Sequence, residues 1–404
     1  MNLPARMSPR ELRASFSLAA IFGLRLFGMF IILPVFALWA QARPGWSLTL
    51  VGVALGAYGL TQAILQLPFG WLSDRYGRKP ILYFGLALFA AGSLLCALSE
   101  TPWALIAGRV LQGAGAISGV VIAMAADLTR VSQRTKAMAI IGSTIGAVFA
   151  LSFVASPVLE QAIGVPGIFA LTAIFALFAI GVVRWVVPNA PLERGSGARV
   201  RLTTVLREPE LARLNVGIFV LHAVLMALFV VVPIALVHAG LPAEAHWRVY
   251  LGAIGAGLVL MLPALLGRAA RHERAIFLIS IATLGVSLAL LAVGLGRLGG
   301  IVLALVVFFA GFNVLEAKLP ALVSRAAPRG ATGAATGMYS SVQFLGTFFG
   351  GALGGAIAQH LGFGAVLAAC LVVTVVWFAV AWNMGDFLQQ GEVVEAKLTE
   401  ATRI

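Results

Sequence analysis

The sequence predicts an all-α membrane protein with twelve transmembrane helices in two pseudo-symmetric six-helix bundles. The mean hydropathy is +1.00, and 61% of the residues are hydrophobic whereas only 11% are charged, a composition typical of chains solvated by lipid. Apolar runs of about 20 residues, the length that crosses a bilayer, recur along the chain. The one long polar break, 189–210, leaves six runs on each side.

The predicted spans follow one another with short polar connections. In order they are 15–40, 48–71, 80–98, 102–126, 137–159, 166–188, 211–237, 247–267, 275–295, 299–322, 335–359 and 365–384. The corresponding domains are an N-terminal bundle (1–188), a cytoplasmic linker (189–210), a C-terminal bundle (211–385) and a cytoplasmic tail (386–404). We expect a monomer embedded in the lipid bilayer.

The first span has an alternative interpretation, because "WAQA" at 39–42 resembles a signal-peptidase site. The run is longer than the roughly 7–15 residues of a signal peptide's apolar region, and it contains Arg25 and Pro34. We therefore predict that it is retained as the first helix.

The net charge of +13 would also suit a nucleic-acid surface, but the basic residues are not gathered on one face. Only Arg43, Arg248 and Arg297 fall in the predicted outer loops, whereas most others fall in the loops of the opposite side. The positive-inside rule accounts for this distribution and places both termini in the cytoplasm. No nucleic-acid partner is needed to explain the charge.

Several functional classes are excluded by missing patterns. Cys96 and Cys370 both lie in apolar runs, so we interpret them as small core residues and expect neither a disulfide nor a metal site. No G-x-x-x-x-G-K-[ST] loop is present, so ATP is not the expected energy source. No nucleophile and base occur together at membrane depth, so we predict no enzyme, no catalytic residues and no cofactor.

The stretch "GWLSDRYGRKP", residues 70–80, concentrates charge in the turn between the second and third spans. Gly77 permits a tight turn, and Pro80 suits the first turn of the next helix. A positive-inside loop explains the basic residues of this stretch, but it does not explain Asp74.

The same stretch resembles the signature loop of the major facilitator superfamily, with matches at Gly70, Leu72, Asp74, Arg75, Gly77, Arg78, Lys79 and Leu82. "RVLQGAGAI" at 109–117 resembles a second motif of that family, a buried arginine followed by a glycine-rich face. The antiporter hinge motif is altered, since Ser156 stands where that motif has glycine before Pro157.

Longer segments, among them "LRLFGMFIILPVF" (24–36) and "MYSSVQFLG" (338–346), resemble the YajR-type transporters of the proteobacterial inner membrane. The resemblance implies a multi-pass protein of the inner membrane. Such proteins can carry a soluble domain after the twelfth helix, whereas this sequence stops at Ile404 after a short charged tail. The function of that domain is therefore not carried over.

The resemblance implies that two six-helix halves rock against each other and lock on the cytoplasmic side. Asp74 would face the start of the eleventh span, and Arg78 would pair with Asp127 at the end of the fourth. This latch would favour the outward-facing state. The alternative is a solvated loop, since surface ion pairs often contribute less than ~1 kcal/mol.

Glycines repeat every four residues on three predicted spans: Gly52 and Gly56, Gly142 and Gly146, and the ladder Gly346, Gly350 and Gly354. Such stripes allow close helix packing. For any one pair, ordinary helix packing is the preferred interpretation. Their joint occurrence on spans that line the interface between the halves in this family favours sliding surfaces.

Four residues are candidates for proton coupling. Arg25 and Arg109 lie too deep in their spans for easy snorkelling and should face the bundle interior. Glu316, the only carboxylate well inside a span, could load and release a proton, or it could be a helix-end residue paired with an arginine. His222 could also titrate, although a single histidine in an apolar run is more often a packing residue.

Polar residues in lipid turn inward, which makes a further set candidates for lining a substrate cavity. Tyr58 and Gln62, like Tyr339 and Gln343, are four residues apart and share a helix face. Helix–helix hydrogen bonds are the alternative role. The full set is Tyr58, Gln62, Gln66, Asn313, Tyr339 and Gln343.

The favoured function is a secondary active exporter of small amphipathic molecules that uses alternating access and proton antiport. The alternative is a permease or symporter that imports a polar metabolite such as a sugar or organic anion. Either function has a small molecule and the proton as partners. Because the predicted cavity holds Arg25 and Arg109 but few acids, neutral or anionic substrates suit it better than multiply cationic ones.

Overall fold

The computed structural model describes residues 6–189, 205–266, 272–328 and 331–384. In these ranges every regular element is a helix, as the hydropathy predicted. The chain divides into two compact units, Met1–Ala198 and Arg199–Ile404, which we name the N-terminal unit and the C-terminal unit. The division falls within the predicted linker 189–210. Most of that linker, like the predicted tail 386–404, lies outside the described residues.

The N-terminal unit begins with a well-capped helix. Ser8 accepts a hydrogen bond from the backbone of Glu11, and the Glu11 side chain accepts one from the backbone of Ser8, which together form a capping box. The helices of this unit are α1 (Pro9–Phe30), α2 (Leu33–Gln41), α3 (Leu48–Tyr76), α4 (Arg78–Leu98), α5 (Pro102–Ala114), α6 (Ser118–Asp127) and α7 (Arg134–Trp185).

Two predicted spans of this unit are broken near their middle. The first separates into α1 and α2 at Ile31 and Ile32, because Pro34 has no N–H to donate to the carbonyl of Phe30, where α1 ends. The fourth separates into α5 and α6 across Gly115–Ile117. Discontinuous helices of this kind place unpaired backbone groups inside the membrane region.

The signature loop is a sharp turn between two long helices. Gly77 has φ 95°, a left-handed conformation that costs other residues energy, and it allows α4 to begin at Arg78 directly after α3 ends. The charged residues on either side of Gly77 are thereby brought to one end of the unit.

The C-terminal unit is also helical throughout its described part. Its helices are α8 (Pro209–His238), α9 (His246–Leu266), α10 (Glu273–Gly294), α11 (Leu298–Ala326) and α12 (Thr332–Trp382). Within this unit α12 packs along α8, and α11 contacts both α9 and α10.

Within the described ranges, ten helical stretches are long and apolar enough to cross a membrane. Two of them, α7 and α12, have 52 and 51 residues, roughly 75–80 Å at 1.5 Å per residue against an apolar core of about 30 Å. Each contains one glycine with non-helical backbone, Gly164 at φ 66° and Gly362 at φ 81°. These glycines fall between pairs of predicted spans. Dividing both stretches there would give the predicted twelve spans, a number that stays a prediction.

The glycine ladder of α12 packs against a neighbouring helix of the same unit. A Cβ at Gly346 or Gly350 would overlap backbone atoms of Phe219 or Ala223 in α8, and Gly354 lies against Ala227. The ladder therefore closes α12 onto α8 within the C-terminal unit, which is the ordinary helix packing that was the alternative role. A sliding surface between the halves stays a prediction.

The other two glycine pairs are less informative. A Cβ at Gly142 or Gly146 in α7 would meet no atom within 4 Å. A sliding surface at these two residues, and at Gly52 and Gly56, stays a prediction.

Candidate functional site

Arg25 forms the centre of a buried polar cluster in the N-terminal unit. It lies in α1 with only 2% of its surface exposed, as its depth in the span predicted. Its Nη1 donates to Ser118 Oγ of α6 at 2.9 Å, and its Nη2 donates to Gln62 Oε1 of α3. Gln62 in turn donates to Gln66 Oε1 at 2.8 Å. Arg25 therefore links three helices through neutral acceptors.

Arg109 of α5 also lies close to Tyr58 and is equally buried, at 2% exposed. Its Nε donates to the carbonyl of Ala54 at 3.2 Å, and its Nη1 donates to Gln112 Oε1 at 2.8 Å. Gln112 donates onward to Ser93 Oγ of α4 at 2.7 Å. The two guanidinium carbons lie 5.6 Å (Arg25) and 5.1 Å (Arg109) from the centre of the Tyr58 ring, within the range of cation–π attraction.

The charge of this cluster has no counter-charge close by. Among the described residues, no carboxylate oxygen lies within 4 Å of either guanidinium group. Because arginine keeps its proton in proteins, the cluster carries two fixed positive charges away from water.

The candidate cavity residues of the N-terminal unit are part of this network. Tyr58, Gln62 and Gln66 are all buried. The Gln62 bond to Arg25 is a helix–helix hydrogen bond, which was the alternative role for this residue. Their role in lining a cavity stays a prediction.

A second polar cluster lies within the C-terminal unit and joins three of the candidate residues. Gln343 of α12 lies with its Nε2 2.8 Å from His222 Nε2 of α8 and 3.4 Å from Glu316 Oε1 of α11. His222 Nε2 and Glu316 Oε2 are 3.9 Å apart. Sequence reasoning proposed Glu316 and His222 as separate proton candidates, and the fold makes them neighbours.

The candidate residues of this unit keep hydrogen-bonding capacity that the described residues leave unused. Tyr339 Oη, Asn313 Nδ2 and Glu316 Oε2 are buried atoms without a hydrogen-bond partner in the described part of the chain. No arginine or lysine nitrogen in that part lies within 4 Å of the Glu316 carboxylate, so the predicted alternative of an arginine pair is not formed there.

The signature-loop charges contact one another at the end of the N-terminal unit. Arg78 Nε donates to Asp127 Oδ2 at 2.8 Å, and Arg78 Nη1 donates to Asp74 Oδ1 and to Ser73 Oγ at 2.7 Å. The predicted pairing of Arg78 with Asp127 is thus present. The action of this pair as a latch, and a contact of Asp74 with the eleventh span, stay predictions.

Some residues of these clusters were missed by sequence reasoning. Ser118, Gln112 and Ser93 complete the arginine network, yet single polar residues among apolar ones do not reveal their partners.

Arg130 binds Glu11 through both guanidinium and backbone nitrogens at 2.9 Å. The Ser8-x-x-Glu11 pattern could have identified a capping box, but not this bond between residues 119 positions apart.

Within the described residues, the structure gives no support for a metal site. The described residues contain no group of three or more His, Cys, Asp or Glu side chains that could hold a metal ion. The two buried cysteines, Cys96 and Cys370, are both free thiols.

Comparison with known proteins decides the family. Residues 18–351 match the family described as Major Facilitator Superfamily. The chain belongs to the major facilitator superfamily. It is 42% identical over 330 residues to the inner membrane transport protein YajR of Escherichia coli (strain K12), covering 80% of this chain and 73% of YajR. It is also 29% identical over 255 residues to the multidrug resistance protein MdtH of Proteus mirabilis (strain HI4320), covering 59% of this chain and 60% of MdtH.

The fold comparison agrees with the family. A bacterial homologue of the human lysosomal transporter Spinster superposes with a TM-score of 0.75 at 12% identity, covering 95% of this chain and 98% of that chain. At this identity the likeness concerns the fold alone. The chain is therefore a multi-pass membrane transporter of the major facilitator superfamily and not an enzyme.

Proposed function

We propose that this transporter exports small amphipathic molecules across the bacterial inner membrane in exchange for protons, and that Glu316 carries the proton. The observation that supports this proposal is the contact of Glu316, His222 and Gln343 inside the C-terminal unit. Similarity to a protein named for multidrug resistance supports export, and similarity to an inner membrane transport protein supports the location.

The three residues lie at similar depth. His222 is 13 positions after Pro209, Gln343 is 11 after Thr332, and Glu316 is 10 before Ala326. At 1.5 Å per residue each lies roughly 15–20 Å from the nearer helix end, and all three fall inside predicted spans. An ionisable group at this depth marks an ion or proton path, because burying a permanent charge there is costly.

The hydrogen bonds provide two arrangements for two protonation states. While the Gln343 amide donates to His222 Nε2, that nitrogen must lack a proton. If a proton moves to His222 Nε2, Gln343 must turn and offer its carbonyl oxygen. The same oxygen then faces Glu316, which can pair with it only as the protonated carboxyl group that donates its O–H; when the amide nitrogen turns back, Glu316 can release that proton. Gln343 thereby couples the protonation of Glu316 to that of His222.

The test uses inverted membrane vesicles loaded with a pH-sensitive dye, to which candidate amphipathic substrates are added. Wild-type protein should dissipate an imposed pH gradient as it moves substrate uphill. Glu316→Gln should abolish uphill transport but keep downhill substrate exchange, because the neutral amide resembles the protonated carboxyl group. Glu244→Gln changes an exposed carboxylate of the same unit and should behave like wild type. Uphill transport by Glu316→Gln at the wild-type rate would overturn the proposal.

A further inference from the structure

The start of α6 exposes backbone donors inside the membrane region. The first hydrogen bond of this helix runs from Val121 N–H to the carbonyl of Ile117 at 2.9 Å. The N–H groups of Ser118, Gly119 and Val120 therefore precede the helical ladder and have no acceptor within α6. The positive end of the helix dipole is located at the same point. In transporters, such half-helix N-termini face the anionic groups of substrates.

Arg25 places a guanidinium group at this N-terminus. Its Nη1 lies 2.9 Å from Ser118 Oγ, and the side chain is buried. Its Nε is also buried and has no hydrogen-bond partner among the described residues. A charged donor thus remains available beside the free backbone donors of α6.

The charge balance of the unit points to the same ligand. The acidic residues of 1–198 are Glu11, Asp74, Glu100, Asp127, Glu160 and Glu193, and none of those described lies within 4 Å of Arg25 or Arg109. A buried charge without a partner is costly, and removing it from water must be offset by other interactions. A bound anion would supply the missing negative charge.

The first turn of α6 is open at Gly119, and two aromatic rings lie close to Arg25. A Cβ added to Gly119, in the first turn of α6, would meet no atom within 4 Å. The rings of Tyr58 and Phe89 lie 5.6 Å and 5.7 Å from the Arg25 guanidinium carbon. An acidic group bound at Arg25 would therefore lie close to these two buried rings.

We propose that the first turn of α6 and Arg25 form a binding site for the acidic group of the transported molecule, and that the substrates are amphipathic organic anions bearing a carboxylate or sulfonate. This inference rests on the export function proposed above and specifies its substrate class. Arg25 would bind the acid, while Arg109, held by Ala54 and Gln112, positions Tyr58.

Binding to the purified full-length protein tests this site without any transport step. The probes are 2-naphthoate, 2-naphthalenesulfonate, the neutral 2-naphthamide and the cationic 2-naphthylmethylammonium, which share one ring system. Thermal unfolding can be followed with a fluorescent thiol reagent, since both Cys96 and Cys370 are buried and free, and Kd values are measured by calorimetry. The two anions should bind wild-type protein at least about tenfold more tightly than the amide, because charged hydrogen bonds are stronger than neutral ones.

Three variants locate the effect. Arg25→Gln should weaken anion binding about 10- to 100-fold and remove the preference over the amide. Arg25→Lys should retain part of that preference. Gly119→Leu fills the open space without changing a polar side chain and should also weaken binding. Arg43→Gln, at an exposed arginine near Trp39, should bind like wild type.

The outcomes separate this inference from the export proposal. Equal affinity of wild-type protein for naphthoate and naphthamide would overturn the anion site, even if proton-coupled transport is observed. Unchanged anion binding by Arg25→Gln would overturn it as well. If that variant does not fold, the wild-type preference and the Gly119→Leu protein decide. Anion binding that survives in Glu316→Gln supports the site whether or not protons drive transport.

Discussion

The buried polar clusters of the two units differ in the kind of charge they hold. In the N-terminal unit, the hydrogen-bond partners of Arg25 and Arg109 among the described residues are hydroxyl, amide and carbonyl oxygens. In the C-terminal unit, Glu316 and His222 share the amide of Gln343. One cluster has fixed positive charge, and the other is made of groups that titrate.

This difference separates residues that the sequence had grouped together. All four were candidates for proton coupling, but a guanidinium group keeps its proton and cannot cycle between two states near neutral pH. A carboxyl group and an imidazole can do so. We therefore assign substrate binding to the fixed cluster and proton exchange to the titratable one.

The largest effect is expected when Arg25 is removed from the fixed cluster. Arg25→Ala should lower both uphill transport and downhill exchange at least about tenfold, because it removes a donor that binds cargo in either mode. Glu316→Gln should lower only uphill transport. Both rates can be measured in inverted vesicles, with the substrate that the pH-sensitive dye assay identifies.

The control for this comparison is Arg43→Ala, which removes an exposed arginine and should leave both rates unchanged. If Arg25→Ala kept exchange while losing uphill transport, the arginine would behave like the carboxylate. The division between a fixed and a titratable cluster would then fail.

A smaller effect is expected when the titratable cluster loses one member. With His222 and Glu316 3.9 Å apart, their protons should titrate as a coupled pair. His222→Gln should therefore reduce uphill transport several-fold and narrow its pH dependence to a single transition, while Glu316 still carries protons. The rate of gradient loss between pH 5 and 9 provides the measurement. A variant profile that superimposes on the wild-type profile would mean that His222 only packs.

The fold followed from the sequence because its cause is local and repeated. Apolar runs of bilayer length define the helices, and Gly164 and Gly362 fall where predicted spans meet. The breaks at Ile31 and at Gly115–Ile117 were not predicted, because a single proline or a few glycines within an apolar run do not specify whether a helix kinks or stops.

The site was predicted in parts and not as clusters. Depth alone correctly indicated that Arg25 and Arg109 turn inward. Their partners could not be derived, because Ser118 is 93 residues from Arg25. Gln343 likewise lies 121 residues from His222. Contacts between distant helices depend on packing angles that hydropathy does not contain.

A second comparison concerns the ion pairs at the helix ends. In the N-terminal unit, Arg78 is the first residue of α4 and Asp127 the last of α6. In the C-terminal unit the charges are reversed, because Glu273 begins α10 and Arg325 lies in the last turn of α11. Helix dipoles favour acids at N-termini and bases at C-termini. The second pair therefore agrees with both dipoles, and the first opposes both.

The smallest expected effect tests this reversal with two double variants. Glu273→Ala/Arg325→Ala removes two favourable dipole interactions of about 0.3–1 kcal/mol each, whereas Arg78→Ala/Asp127→Ala removes two unfavourable ones. The first protein should therefore unfold at a lower temperature, by a few degrees, while only the second should be impaired in transport. Such a result would mean that the Arg78–Asp127 pair is kept for movement and not for stability, as a latch requires.

Each Arg78→Ala and Asp127→Ala single variant should also impair transport, and the double variant should be less impaired than their sum predicts. Additive single effects would contradict a latch that opens against both dipoles. So would a larger stability loss from Arg78→Ala/Asp127→Ala than from Glu273→Ala/Arg325→Ala.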